Sequence, residues 1–170
     1  MIYTIGYSNR SLPEFLNELT SRGIAQLWDV RSSPWSRNAA FNASKIEQWS
    51  ESAGIFYRQC GTIFGGRSEV ALDDPIYIDL LNELIIAAKR NPVVVMCAEG
   101  DPANCHRSWA IGASLLLKCN VSVINIMRDG TTEDIGASIR RIKRRNFTPA
   151  ILSALDGMEP FAWPEKNWFC

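Results

Sequence analysis

The chain has one histidine, His106, among 170 residues. A mechanism that passes protons between two imidazoles of one chain is thereby excluded. Net charge is missing too. Lys+Arg is 18 and Asp+Glu is 18, so no global field draws the chain to nucleic acid or membrane, and any such affinity must come from a local patch. No apolar run approaches the ~20 residues that a membrane helix needs. The N-terminal MIYTIGYSN lacks the basic-then-apolar order of a secretory signal. The cysteines Cys60, Cys97, Cys105, Cys119 and Cys170 are five, an odd number at irregular spacing. That pattern fits reduced thiols in a cytoplasm rather than a disulfide framework. Internal repeats and linker-like stretches are absent. Disorder is excluded as well, because hydrophobic residues make up 46% and charged residues 21%. The length fits one domain, 1–170, with a sizeable core.

What is present alternates between strand-like and helix-like runs. Ile2–Ile5 is β-prone and stops at Gly6. Ser11-Leu-Pro-Glu14 has the form of a capping box, ahead of Phe15, Leu16 and Leu19 at helical spacing. Leu27–Val30 reads as a second strand, and 42–53 as a helix with Ile46 and Trp49 on one face. Ile55–Tyr57 reads as a third strand. Asp74-Pro75 opens a helix whose apolar residues are Ile78, Leu81, Leu84 and Ile85. Val93–Met96 is the most apolar strand and the expected centre of the sheet. Asp101-Pro102 is expected to open the next helix, with Cys105 and His106 ending its first turn. Val121–Met127 is a further strand, and Thr131-Thr-Glu-Asp134 resembles a cap before Ile135, Ile139 and Ile142. The tail 149–170, rich in proline and aromatics, is expected to pack on the surface. Such alternation predicts an α/β fold, a Rossmann-like three-layer sandwich with a mainly parallel central sheet.

In an open α/β sheet, ligands bind beyond the carboxyl ends of the strands. Four strands lead there into polar or glycine-rich turns. The candidate catalytic residues are Asp29, Glu99, Cys97, Cys105 and His106. Carboxylates there could activate water, and a helix start favours thiolate over thiol. The candidate binding residues are Tyr7, Ser8, Asn9, Arg31, Ser32, Trp35, Gly65, Gly66, Asp101 and Arg107. Arg31 and Arg107 would hold a phosphate, and Trp35, in a polar loop, could stack on a base. Each residue also has a plainer reading. Cys97 could be an inert core thiol, Asp29 and Arg31 an ordinary ion pair, Ser8 and Asn9 a turn, and Gly65-Gly66 a tight bend. A capping Asp101 would itself occupy the anion position at the helix start. Convergence on one edge favours a functional pocket.

Specific chemistries are tested by spacing. A zinc site wants ligand pairs a few residues apart. Adjacent Cys105 and His106 are expected to point away from a common ion, so neither metal nor cofactor is expected. A phosphatase loop needs arginine at a fixed distance after its cysteine, and from Cys97 that position holds Ala103. A persulfide carrier would suit Cys97, but two acidic residues in its loop oppose anionic sulfur. Arg140-Arg141 and Lys143-Arg144-Arg145 read as a solvated helix face that could contact phosphates.

Four stretches carry a resemblance. They are Thr4-Ile-Gly-Tyr-Ser-Asn9, Asp29-Val-Arg-Ser-Ser-Pro-Trp-Ser36, Gly65-Gly66 and Cys97-Ala-Glu-Gly-Asp-Pro-Ala-Asn-Cys-His-Arg107. In this order they resemble the bacterial and archaeal domain-of-unknown-function 488 family. Tyr7 departs from it where histidine is expected, and Phe64 where leucine is usual. The resemblance implies a cytoplasmic α/β protein with a link to nucleic-acid modification or repair, and no settled reaction. Residues and resemblance together lead to the expectation of a small enzyme, a hydrolase or transferase on a nucleotide-like or nucleic-acid substrate. Scission of a base–sugar bond is one such reaction. The alternatives are a nucleotide- or anion-binding module without turnover and a thiol-based sulfurtransferase or redox protein.

Overall fold

In the computed structural model, residues 1–142, 147 and 151–153 are described. The chain runs through β1 (Ile2–Gly6), α1 (Leu12–Thr20), β2 (Gln26–Asp29), α2 (Ala43–Ser52), β3 (Phe56–Gln59), the one-turn α3 (Gly61–Phe64) and α4 (Pro75–Arg90). It continues through β4 (Val93–Cys97), α5 (Ala113–Cys119), β5 (Val123–Ile126), β6 (Thr132–Asp134) and α6 (Ile135–Arg141). The strand order is β3-β2-β4-β1-β5-β6. All pairings are parallel except that of β6 with β5.

Alternation along the strands builds two cores. In β4, Val93 and Val95 face one cluster with Leu81 and Leu84 of α4, Leu115 of α5 and Ile139 of α6. Val94 and Met96 face the other, with Phe15 and Leu19 of α1 and Ile46 of α2. Successive strand side chains point to opposite faces, so a strand apolar throughout must lie between two helical layers. The three-layer α/β expectation holds for the described residues. The order differs from the 3-2-1-4-5-6 of the dinucleotide-binding fold, so the Rossmann likeness extends to the layering alone.

Local signals explain most element starts. Ser11 and Glu14 form the expected capping box, and the Asp74 side chain caps α4 ahead of Pro75. Three expectations need correction. In α4, Ile78 is exposed and Leu80 joins the core in its place. Thr132–Asp134 is an edge strand as well as a cap, with Asp134 accepting from the Gly136 N–H. The helix after β4 does not start at Asp101-Pro102. Pro102–Asn104 is a single tight turn, and Cys105 then extends (φ −123°, ψ 139°) before a wide-turn π-helical segment, Arg107–Gly112, runs into α5. The expected surface packing of the tail falls on residues 149–170, of which only 151–153 are described, with Ile151 buried. Lys143, Arg144 and Arg145 lie outside the described residues. No helix among the described residues is long and apolar enough to cross a membrane.

This topology opens a crevice. β2 sends the chain through α2 on one face toward β3, while its neighbour β4 sends it through α5 on the other face toward β5. Their carboxyl-end loops therefore part. Such a reversal is where α/β sheets bind ligands.

Candidate functional site

A cleft of about 650 Å³ occupies that crevice. Its walls come from the loop after β2 (Arg31, Ser32, Ser33, Trp35), the loop after α3 (Gly66, Arg67) and the loop after β4, which brings Cys97, Glu99, Cys105 and His106. A more apolar hollow of about 410 Å³ adjoins it, sharing Gly66, His106 and Trp109. Trp35 at the rim is 68% exposed.

The loop after β4 is held from behind. Tyr7 N–H donates to Cys97 O and Ser8 N–H to Ala98 O. A Cβ on Gly6 would stand 1.8 Å from Glu99 O, so only glycine lets the two loops meet. Arg107 is wholly buried, donating to Thr4 Oγ1 and to the carbonyls of Glu99 and Gly100. It fixes the loop and, wholly buried and outside the cleft lining, does not reach a phosphate there, contrary to its expected role. The loop is no anion cradle either. Glu99 accepts from Asp101 N–H, and Asp101 accepts from Ala103 N–H while pairing with Arg141.

The expected catalytic Asp29 is also corrected. It is 1% exposed and outside the cleft. It binds the Arg31 guanidinium, the Arg31 N–H and the Tyr57 hydroxyl. Arg31 completes its bonding on Phe41 O. Burial opposes the Arg31 charge, but the bonds from Asp29 outweigh it and hold the guanidinium above its usual range. The plainer reading, an ion pair pinning the loops, is what the structure holds. Tyr7 is buried and stacked on Phe41 at 4.4 Å between ring centroids. Asn9, at φ 61°, shapes a turn. Neither borders the cleft.

The cleft floor is a cluster of sulfur and imidazole. Cys97 Sγ lies 4.0 Å and Cys105 Sγ 3.8 Å from His106 Nδ1. The His106 Nε2 is 3.0 Å from Val30 O. A carbonyl can only accept, so Nε2 carries a proton there, and Nδ1 faces the two sulfurs. Adjacent Cys105 and His106 were expected to diverge. They converge because the chain passes from extended at Cys105 to helical at His106 (φ −58°, ψ −22°). Cys105 thus stands at the true start of the helix, its carbonyl accepting from the N–H groups of Ser108 and Trp109. A hydrogen bond from Cys97, aided against burial by His106 and Arg107, lowers Cys105 well below the ordinary thiol range. The same bond, with burial, raises Cys97.

Gly66 completes the floor. A Cβ there would stand 2.9 Å from His106 Nδ1, so the glycine leaves the imidazole uncovered. Ser32 Oγ accepts from Arg67 N–H, which ties two walls together.

Residues 11–73 match the family model described as Domain of unknown function DUF488. The match covers 63 of the 170 residues. No curated protein matches the chain. The DUF488 segment includes Ser32, Trp35, Gly65 and Gly66, while the loop from Cys97 to Arg107 lies beyond the matched residues. The sheet unites the two parts in one cleft, since β2 pairs with β4. Ser33, Arg67, Asn104 and Trp109 also line it, although the sequence did not single them out as site residues. Arg67 was legible as the cation following Gly65-Gly66. Trp109 was legible only once the helix start at His106 is known.

Proposed function

We propose that this protein is a small cytoplasmic enzyme that acts on a nucleotide-like or nucleic-acid substrate by hydrolysis or group transfer in the cleft between β2 and β4. The observation that carries the reading is the placement of Glu99, the thiol pair and His106 in one cleft beneath an exposed tryptophan and an exposed arginine. Trp35 offers a flat face to a base, and the stack would hold its ring above the floor. Arg67 makes no ion pair among the described residues and would meet the phosphate. Glu99, exposed on the cleft wall, would take a proton from the attacking water or nucleophile. The floor of Cys97, Cys105 and His106 would supply the polarising or proton-donating group. Base–sugar bond cleavage in DNA repair or modification is one member of this class.

The test is to incubate the protein with damaged or modified single- and double-stranded DNA and with free nucleotides, and to look for released base or product. Glu99→Gln should abolish turnover and leave binding intact. Binding without turnover in wild type and variant alike would favour the non-catalytic module. A reaction that transfers sulfur or electrons and stops on thiol alkylation would favour the sulfurtransferase or redox reading.

A further inference from the structure

We propose that Cys97, Cys105 and His106 form a tetrahedral binding site for one zinc-like divalent ion, with a fourth coordination position open to the cleft. The ligand atoms of all three lie within 4.8 Å of one another. With Zn–S bonds near 2.3 Å and a Zn–N bond near 2.0–2.1 Å, a tetrahedral ion sets S···N edges of about 3.6 Å. The observed S···N separations of 4.0 and 3.8 Å need to close by roughly 0.2–0.4 Å by that geometry, and the two sulfurs, within 4.8 Å of each other, must draw in to an S···S edge of about 3.8 Å.

Two further features belong to a ligand set rather than to a chance cluster. The Val30 carbonyl fixes the His106 tautomer and points Nδ1 inward, as outer partners of metal-bound imidazoles do. Gly66 keeps the space beside Nδ1 free of any side chain.

Ligation would take both sulfurs as thiolates and His106 as the neutral imidazole, with the displaced protons released to solvent. Two thiolates balance the charge of the divalent ion, so the buried floor becomes neutral. Three protein ligands with an open position are the pattern of a catalytic rather than a structural zinc site. That part rests on the proposed hydrolytic reading: an ion-bound water, deprotonated toward Glu99, would be the nucleophile. Metal binding itself does not depend on that reading.

The test uses the whole chain, stripped of metal under reducing conditions and titrated with Co²⁺ and then Zn²⁺. The expected result is one equivalent of cobalt per chain, thiolate-to-cobalt charge-transfer absorption with tetrahedral ligand-field bands, and bleaching by zinc. Cys105→Ser and His106→Gln should each weaken uptake at least tenfold, and Cys119→Ser should leave it unchanged. Circular dichroism checks that the variants fold, and the wild-type titration decides the matter if they do not. No uptake by folded wild type, uptake that survives both substitutions, or a Cys97–Cys105 disulfide under reducing conditions overturns the proposal. Metal uptake without turnover on any nucleotide would leave the site standing and sink the hydrolytic reading. Turnover by metal-free protein would leave the hydrolytic reading standing and sink the ion-bound water as its nucleophile.

Discussion

Replacing Asp29 by asparagine separates a structural carboxylate from a catalytic one. The side chains of Asp29 and Arg31 are 1% and 4% exposed, and they are bound to each other. The new amide would keep one acceptor oxygen, lose the charge and leave the Arg31 guanidinium buried without its counterion. Removing one partner of a buried pair costs about 3–5 kcal/mol. A chain of this size loses roughly 2–4 °C of Tm per kcal/mol, so the transition should fall by roughly 6–20 °C. Calorimetry and urea titration measure the loss. The double variant Asp29→Asn/Arg31→Met should be no less stable than Asp29→Asn alone, because the stranded cation has gone. Any activity should scale with the folded fraction. A loss under about 1 kcal/mol, at the level of an exposed pair, would refute the structural assignment, as would a stable variant with no activity.

Trp35→Ala should weaken nucleotide binding by about 1–3 kcal/mol, roughly 5- to 150-fold in Kd, with Tm unchanged, since Trp35 is exposed; titration calorimetry and a melting curve check both. Arg107→Met strands Thr4 Oγ1 and the carbonyls of Glu99 and Gly100, and should cost about 2–4 kcal/mol in urea unfolding at the rate for lost charged hydrogen bonds; a near-neutral variant would mean that water replaces the guanidinium. Burial, opposed by Arg58, pushes the Cys60 thiol up to about 12. Iodoacetamide near neutral pH should therefore label half-exposed Cys119 well before Cys60, read by peptide mapping; early labelling of Cys60 would contradict this.

Much of the fold was legible because its signals are local. Ser11 with Glu14, Asp74 with Pro75 and the apolar run Val93–Met96 each act over a few residues, and each gave its element. The edge strand Thr132–Asp134 was not, since three residues carry no periodicity and the same aspartate also caps a helix. The cleft lies at the strand ends, where the sequence pointed, but the roles of its residues were only half readable. A loop sequence shows an arginine without showing what surrounds it. Arg31 and Arg107 looked like phosphate ligands, and both are consumed by partners brought from elsewhere in the chain. Asp101-Pro102 imitated a helix start, whereas the turn it opens ends at Asn104 and the helix begins anew at His106. That restart turns Cys105 and His106 toward one point, and nothing in their adjacency announces it.

The most direct test of the cleft is an NMR titration of ¹⁵N-labelled protein with nucleoside monophosphates and short single-stranded DNA. Saturable shifts gathered at the Trp35 indole and at the backbone amides of Gly66, Arg67, Glu99 and His106, the residues around the cleft, are the expected result. Shifts that never saturate, or that gather on the far side of the sheet around Trp49 while the cleft stays silent, would contradict it.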